Sequence, residues 1–199
     1  MKPTVYLAGP ITGETVASAN DWRGDMTERL ARHGIVGISP LRAQPVQGER
    51  YDLHFPDPCF GMPKTIVSKN YLDVKRCDFV LAYFPEPPEV AELDGILDRM
   101  GDLVEQIEER FGPLDSETQD AVVSDVAALK RIARRGLLRT LGTTGEVSWT
   151  KPLGKPCAIV TDDPFIEDHP FMSVQADYML STFDEAERLI VGLFADYAR

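Results

Sequence analysis

Four short apolar segments, each of the length expected for a buried strand, are separated along this chain by segments with helical periodicity. The strand-like segments are residues 4–8, 35–39, 79–84 and 155–161. Apolar runs of this length that end at turn residues are typical of strands buried on both faces. Strands that alternate with helices form a parallel sheet with helices on both of its faces. The sequence therefore predicts an α/β domain.

Helical periodicity is found in residues 19–33, 65–75 and 183–197. The first of these helices is predicted to end at Gly34, a residue typical of helix C-termini. Residues 40–64 form a long connection that contains five prolines and several aromatic residues. Because connections this long are usually functional when they are ordered, we expect a lid or pocket wall there.

An acidic segment interrupts the alternation. Residues 86–126 hold 13 acids and two bases, which accounts for the whole chain's net charge of −11 and leaves the remainder neutral. Apolar residues at steps of three and four predict one long helix, which Gly112 and Pro113 end. Either Asp115 or Ser116 is placed to cap a second helix. We therefore expect a single domain over residues 1–199 with a helical hairpin inserted at about 88–137.

The charge and the cysteines restrict partners and compartment. A net charge of −11 disfavours binding to a nucleic-acid polymer or to an anionic membrane, since both require a basic surface. The three cysteines are Cys59, Cys77 and Cys157, and no two have the spacing of metal ligands. The chain starts without a signal-peptide pattern and has no apolar run of membrane-spanning length. These features predict a reduced, cytoplasmic protein.

Candidate site residues lie in three loops, because ligands of open α/β sheets bind beyond the carboxyl ends of the strands. Gly9 and Pro10 follow the first strand, and form either a tight turn or a close backbone approach to a ligand. Asp73 and Asp78 precede the third strand, where an acid either caps structure or contacts a ligand. Glu146 ends a glycine- and threonine-rich loop, and is either a helix N-terminal charge or a nucleophile in an apolar pocket.

Taken together and in order, these segments resemble the nucleoside 2-deoxyribosyltransferase family. The matching segments are VYLAGPITG at 5–13, NDWR at 20–23, SPLR at 39–42, NYLDVKRCDFVLAYF at 70–84, GTTGEVSW at 142–149, GKPCAIV at 154–160, EDHPFM at 167–172 and STFDEAERLI at 181–190. They cover essentially all of the chain outside the acidic hairpin. The resemblance implies a flavodoxin-like, doubly wound parallel sheet, here with an inserted α-helical hairpin.

The resemblance also implies a chemistry. Glu146 matches the family's nucleophile, which attacks the anomeric carbon of a 2′-deoxynucleoside, displaces the base and forms a glycosyl ester. A second base, or water, then resolves the ester. Tyr6 matches the tyrosine that orients the nucleophile. The implied partners are a nucleoside or nucleotide and a free nucleobase, with no metal or cofactor. A homo-oligomer is also implied, because family sites are usually completed across a subunit interface.

Two positions depart from the family pattern. Asn70 stands where an Asp commonly protonates or holds the leaving base, and an amide cannot act as an acid. Asp73 is the substitute that the sequence offers. Thr140 stands where many members have an Asp that binds the sugar hydroxyl. These departures leave open a hydrolase of nucleosides or nucleoside 5′-monophosphates. A non-catalytic nucleotide-binding or sensing module is the third alternative.

The predicted site thus has a catalytic and a binding part. The catalytic residues are Glu146, Tyr6 and Asp73. The substrate-binding residues are Gly9, Pro10, Arg23, Arg42, Asn70, Asp78, Gly142, Thr143 and His169. Besides the alternatives given above for the loop residues, the sequence leaves open Arg23 as the partner of a surface acid, Arg42 as a solvated loop residue and His169 as a structural side chain.

Overall fold

The computed structural model describes residues 2–11, 14–42, 62–86, 88–113, 115–136 and 141–195. Most of the predicted proline-rich connection (residues 43–61), with Cys59 inside it, lies outside these ranges, as does Thr140. The chain divides into two compact units. The first comprises Met1–Pro85 and Arg139–Arg199, and the second comprises Glu86–Leu138.

The first unit contains a parallel sheet of five strands. They are β1 (Thr4–Ala8), β2 (Val36–Ile38), β3 (Phe79–Phe84), β4 (Cys157–Thr161) and β5 (Tyr178–Leu180). Their order in the sheet is β2-β1-β3-β4-β5, and every neighbouring pair is parallel. This is the flavodoxin-like order, in which the chain reverses direction of winding between β1 and β3. The predicted α/β fold with a doubly wound parallel sheet is confirmed.

Helices of the first unit cover both faces of the sheet. In chain order the helices of the protein are α1 (Val16–Arg32), α2 (Pro63–Arg76), α3 (Pro88–Phe111), α4 (Ser116–Gly136), α5 (Leu141–Ser148), α6 (Pro164–Glu167), α7 (Pro170–Gln175) and α8 (Phe183–Phe194). Thr15 caps α1 by accepting a hydrogen bond from Ser18 N. Thr182 and Glu185 form a reciprocal capping box at the start of α8.

Alternate side chains of β1 belong to two separate apolar cores. Tyr6 packs in one core with Val74 of α2 and Val147 of α5. Val5 and Leu7 pack in the other core, which includes residues of α1 and α8. Since successive residues of a strand point to opposite faces, Tyr6 necessarily faces α2 and α5. This face of the sheet is the one on which the candidate site is built.

The second unit contains α3 and α4, which contact each other. Asp115 caps α4, because its Oδ1 accepts a hydrogen bond of 2.9 Å from Thr118 N. Of the two caps expected from the sequence, Asp115 is therefore the one used. Within the ranges that the structure describes, no helix is both long and apolar enough to cross a membrane.

Candidate active site

Glu146 lies in α5 with its carboxyl group buried; only 5% of the residue is exposed. The sequence predicted a glycine-rich turn before this helix, whereas the helix already begins at Leu141. Gly142 and Thr143 therefore form part of its first turn. The amide groups of a first turn have no partner inside the helix, so weak helix formers cost little there. The acid thus projects from the second turn into the core, not from the helix N-terminus into solvent.

Two side chains donate hydrogen bonds to the same oxygen of Glu146. Tyr6 Oη lies 2.6 Å from Oε1, and Asn70 Nδ2 lies 2.8 Å from Oε1. In the part of the chain that the structure describes, Oε2 accepts no hydrogen bond. The carboxylate is therefore fixed through one of its two oxygens.

Burial controls the ionisation of this pair. It raises the pKa of Glu146 to about 7, against the opposing effects of the Tyr6 hydrogen bond, the Arg23 charge, the Asn70 hydrogen bond and the Lys69 charge. Burial, followed by the negative charge of Glu146, raises the pKa of Tyr6 well above its ordinary value. The Tyr6 hydroxyl therefore keeps its proton at neutral pH and remains a hydrogen-bond donor.

Lys69 stands next to Asn70 on α2 and was not predicted from the sequence. Its Nζ donates to Pro40 O at 2.6 Å and to Asn70 Oδ1 at 3.2 Å. Burial lowers the pKa of Lys69, and the Arg42 charge lowers it further. One signal pointed to this residue: Lys69 and Asp73 are four positions apart, which places them on one helix face.

Asp73 lies between two cations. Arg42 forms an ion pair with it at 2.5 Å, and Lys69 Nζ lies 3.6 Å from its other oxygen. Its Oδ2 is buried and accepts no hydrogen bond from the described residues. Arg42 is thus an exposed residue that is ion-paired at the edge of the cluster. The structure brings Tyr6, Glu146, Asn70, Asp73 and Arg42 into one network, with Lys69 at its centre.

Arg23 is buried beneath the turn that follows β1. Its guanidinium donates to the carbonyl oxygens of Leu7, Gly9 and Ala19, and more weakly to that of Pro10. It also lies over the Trp22 ring, 4.5 Å from the centroid. The alternative of a surface ion pair is therefore wrong for a residue that is 2% exposed. Arg23 holds the turn in place and acts on Glu146 through its charge.

Packing explains the glycine of that turn. A Cβ atom at position 9 would lie 2.5 Å from Trp22 Cζ2 and 3.0 Å from the Arg23 guanidinium. Gly9 is therefore required by the close approach of α1 to the end of β1. Packing against Trp22 thus accounts for the glycine, and the binding of a ligand by Gly9 and Pro10 stays a prediction.

The structure does not bring Asp78 to the Glu146 network. Its carboxylate accepts hydrogen bonds from Thr4 N at 2.9 Å and from Thr4 Oγ1 at 2.8 Å. Both residues stand at the amino-terminal ends of their strands, opposite the edge where ligands of such sheets bind. Asp78 thus joins β1 to β3.

His169 serves as the cap of α7, because its Nδ1 accepts a hydrogen bond of 3.3 Å from Phe171 N. This contact favours the structural interpretation of the histidine. Thr143, by contrast, has a buried hydroxyl with no hydrogen-bond partner among the described residues. Gly142 beside it is exposed.

Solved structures share this architecture. A 2-deoxyribosyltransferase from the psychrotolerant bacterium Bacillus psychrosaccharolyticus aligns with a TM-score of 0.51 over 92% of this chain and 90% of that chain, at 13% identity. The protein has the fold of a 2-deoxyribosyltransferase. A conserved protein from Enterococcus faecalis V583 aligns with a TM-score of 0.50 over 94% of this chain and 96% of that chain, at 10% identity. A 2-desoxiribosyltransferase from Leishmania mexicana aligns with a TM-score of 0.46 over 96% and 97% of the two chains, at 14% identity.

Comparisons by sequence add no relative, since no protein-family model and no curated protein matches this chain. The structural likeness is one of fold. The assignment of the site residues rests on the geometry around Glu146.

Proposed function

We propose that this protein cleaves the N-glycosidic bond of nucleosides, with Glu146 as the nucleophile, and transfers the sugar to a second base. The observation that carries the proposal is the state of the Glu146 carboxylate. It is buried, it is held through Oε1 by Tyr6 and Asn70, and its Oε2 accepts no hydrogen bond from the described residues.

In the proposed reaction, Oε2 attacks the anomeric carbon as the bond from that carbon to the base nitrogen breaks. The base leaves with the bonding electron pair and takes up a proton from solvent, and a glycosyl ester of Glu146 forms. A nitrogen of the second base then attacks the same carbon and releases its proton to solvent, the ester C–O bond breaks, and the carboxylate is regenerated. The negative carboxylate also stabilises the oxocarbenium-like charge of each transition state.

Tyr6 and Asn70 have complementary parts in this scheme. Both donate to Oε1, which keeps the carboxylate plane fixed and directs Oε2 towards the sugar. They also favour the ionised form of Glu146 against the effect of burial. A pKa of about 7 leaves a substantial ionised fraction at neutral pH, and it keeps the carboxylate more basic than an exposed glutamate.

The leaving base requires a separate contact. Asn70 cannot supply a proton, and its amide nitrogen is already directed at Glu146. Asp73 lies three positions further along α2, on the same side of the helix. We propose that Asp73, held by Arg42, contacts the leaving base. Thr143 is proposed to bind a substrate hydroxyl, because its own buried hydroxyl lacks a partner among the described residues.

A base-exchange assay tests the proposal. The protein is incubated with a purine or pyrimidine 2′-deoxynucleoside and a second free base, and the products are separated by chromatography. Formation of a new nucleoside supports transfer. Release of base and free sugar without exchange means that the enzyme is a hydrolase, and repeating the assay with 5′-monophosphates defines that alternative. No turnover of any substrate overturns the proposal in favour of a nucleotide-binding module.

Two variants assign the nucleophile in the same assay. Glu146→Ala is expected to abolish turnover, whereas Glu167→Ala removes an exposed acid of α6 and leaves it unchanged. Intact-protein mass spectrometry after rapid acid quench is expected to detect the glycosyl ester in the wild type and not in Glu146→Ala. Unchanged turnover by Glu146→Ala would overturn the assignment.

We also propose that the protein is a homo-oligomer, as the resemblance to the family implies, and that it is cytoplasmic, as its cysteine usage predicts. Sedimentation of the full chain tests the assembly. A variant without the acidic hairpin then tests whether that segment contributes to it.

A further inference from the structure

A chain of three side-chain contacts connects the end of β2 to the proposed nucleophile. Lys69 Nζ donates to Pro40 O at 2.6 Å and to Asn70 Oδ1 at 3.2 Å. Asn70 Nδ2 in turn donates to Glu146 Oε1 at 2.8 Å. The Asn70 amide is thus placed between an ammonium on one side and a carboxylate on the other.

This placement allows only one orientation of the amide. With Oδ1 towards Lys69 and Nδ2 towards Glu146, both ends of the amide make favourable, charge-assisted hydrogen bonds. A flipped amide would direct its NH₂ group at the ammonium and its oxygen at the carboxylate. Both contacts would then be repulsive, in a region where Asn70 is only 8% exposed. Lys69 therefore decides which end of Asn70 faces Glu146.

The surroundings hold the ammonium in this position. Pro40 O fixes Nζ from the side of β2, while Asp73 lies 3.6 Å away, beyond hydrogen-bond distance. The charged groups that face Lys69 are Arg42, Asp73 and Glu146. The Lys69 charge favours the ionised form of Glu146. Loss of this charge and loss of the Asn70 hydrogen bond would therefore both raise the pKa of Glu146.

We propose that Lys69 is a positioning residue for the nucleophile, which holds the Asn70 amide in the orientation that donates to Glu146 Oε1. Its effect on turnover rests on the proposed function of Glu146. Its effect on the Asn70 amide is a property of the protein without substrate, and it is measurable whether or not the protein cleaves nucleosides.

The experiment compares Lys69→Met with Lys69→Arg and with Lys75→Met, a control on an exposed position of the same helix. Two signals are followed by NMR in the free protein. The first is the hydrogen exchange of the Asn70 side-chain NH₂, assigned by its loss in Asn70→Ala. The second is the titration of the Glu146 carboxyl carbon, assigned by its loss in Glu146→Gln.

In Lys69→Met we expect the Asn70 NH₂ to exchange at least about tenfold faster and the Glu146 midpoint to rise by roughly one pH unit, which corresponds to the loss of one nearby charge and one hydrogen bond. Lys69→Arg is expected to restore most of both signals, and Lys75→Met to change neither. If the wild type is active, the rise of kcat/KM with pH is expected to shift to higher pH in Lys69→Met, by the same amount as the Glu146 midpoint.

Unchanged exchange and an unchanged midpoint in folded Lys69→Met would overturn the inference. If Lys69→Met does not fold, Lys69→Gln gives the same comparison with a polar, uncharged side chain, and the same two outcomes decide it. If the NMR signals move as expected but no nucleoside is cleaved by the wild type, the positioning role stands and the proposed function falls.

Discussion

Tyr6 Oη and Glu146 Oε1 are 2.6 Å apart, although the two residues are separated by 140 positions in the chain. Tyr6 lies in the middle of β1, and Glu146 lies in α5, which packs on the same face of the sheet. The bond is short because the acceptor is a carboxylate in a region of low dielectric constant. The Tyr6–Glu146 contact therefore exists only when α5 is docked on the sheet.

Removal of this bond gives the first prediction. Tyr6→Phe keeps the ring in the core but deletes a hydrogen bond to a charged group, which contributes roughly 1.5–3 kcal/mol. If that bond acts in the transition state, kcat/KM falls by about 10- to 100-fold. The rise of kcat/KM with pH also shifts to higher pH, because the Tyr6 hydrogen bond lowers the pKa of Glu146 in the wild type. Steady-state kinetics between pH 5 and 9 measures both effects.

The matched control for Tyr6→Phe is Tyr83→Phe on β3. Tyr83 is a half-buried tyrosine whose ring contacts Trp22 and Phe183, and its hydroxyl makes no hydrogen bond to a described residue. This variant is expected to retain wild-type kinetics. Equal losses in both variants would mean that the effect of Tyr6→Phe comes from core packing and not from the bond to Glu146.

The sequence predicted those parts of the fold that depend on local apolar pattern. β1 and β3 have the predicted bounds, because each is a run of buried residues ended by turn residues. β5 was missed; like the other edge strand, β2, it has only three residues and is partly exposed, but it lacks the longer segment (residues 35–39) from which β2 was predicted. An edge strand of this kind depends on pairing with its neighbour, here Ile159 with Met179, and not on its own pattern.

The site shows the same division. Tyr6 and Glu146 were identified because short motifs surround them, but their proximity in space follows from the tertiary fold alone. Arg23 was predicted to face the substrate or a surface acid. The structure buries it because the carbonyls after β1 take up its donors. The role of Lys69 required the position of Pro40, which no sequence pattern contains.

Asn70→Asp is predicted to couple two carboxyl groups. An Asp at position 70 would have the Lys69 ammonium beside it, since Nζ lies 3.2 Å from the present Oδ1. It would therefore ionise first, and its charge would stand where Nδ2 now lies 2.8 Å from Glu146. Like charges this close raise the second pKa, so that Glu146 keeps its proton to a higher pH.

The expected result for Asn70→Asp is a rise of at least about one pH unit in the ascending limb of kcat/KM, with a roughly tenfold loss at pH 7 that is partly recovered at pH 9. Asn70→Ala removes the hydrogen bond without adding a charge, and its limb is expected to move less. A profile of Asn70→Asp that coincides with that of Asn70→Ala would show that position 70 acts on Glu146 only through its hydrogen bond.

Two glycines, Gly9 after β1 and Gly24 within α1, are predicted to respond in opposite ways to alanine. Gly9→Ala places a Cβ 2.5 Å from Trp22 Cζ2, and relief requires movement of a packed ring. The cost is about 1–3 kcal/mol of unfolding free energy. Gly24 lies within α1 with no atom within 4 Å of an added Cβ, so Gly24→Ala is expected to stabilise the protein by roughly 0.5–1 kcal/mol. Urea unfolding of both variants measures the difference, and equal effects would refute the close packing at Gly9.

Burial of Glu146 is predicted to lower the free energy of unfolding at neutral pH but not at acidic pH. The pKa rises from an ordinary 4.5 to about 7 in the folded protein. Below 4.5 both states are protonated; between 4.5 and about 7 the unfolded chain loses the proton while the folded chain retains it. The contribution of this group to the unfolding free energy therefore falls with rising pH across that window, by roughly 3 kcal/mol in total.

Glu146→Gln isolates this contribution, because glutamine does not titrate and its carbonyl oxygen still accepts from Tyr6. The stability of Glu146→Gln relative to wild type is expected to increase by roughly 3 kcal/mol between pH 4 and pH 8, and then to remain level. Urea unfolding at several pH values measures it, with Glu167→Gln as an exposed control whose relative stability is expected to stay constant. A difference between Glu146→Gln and wild type that does not change with pH would mean that Glu146 ionises as readily in the folded protein as in the unfolded chain. The expected increase would show instead that the fold sacrifices stability at neutral pH to keep a basic carboxylate buried beside Tyr6, which is the condition that a nucleophile at this position requires.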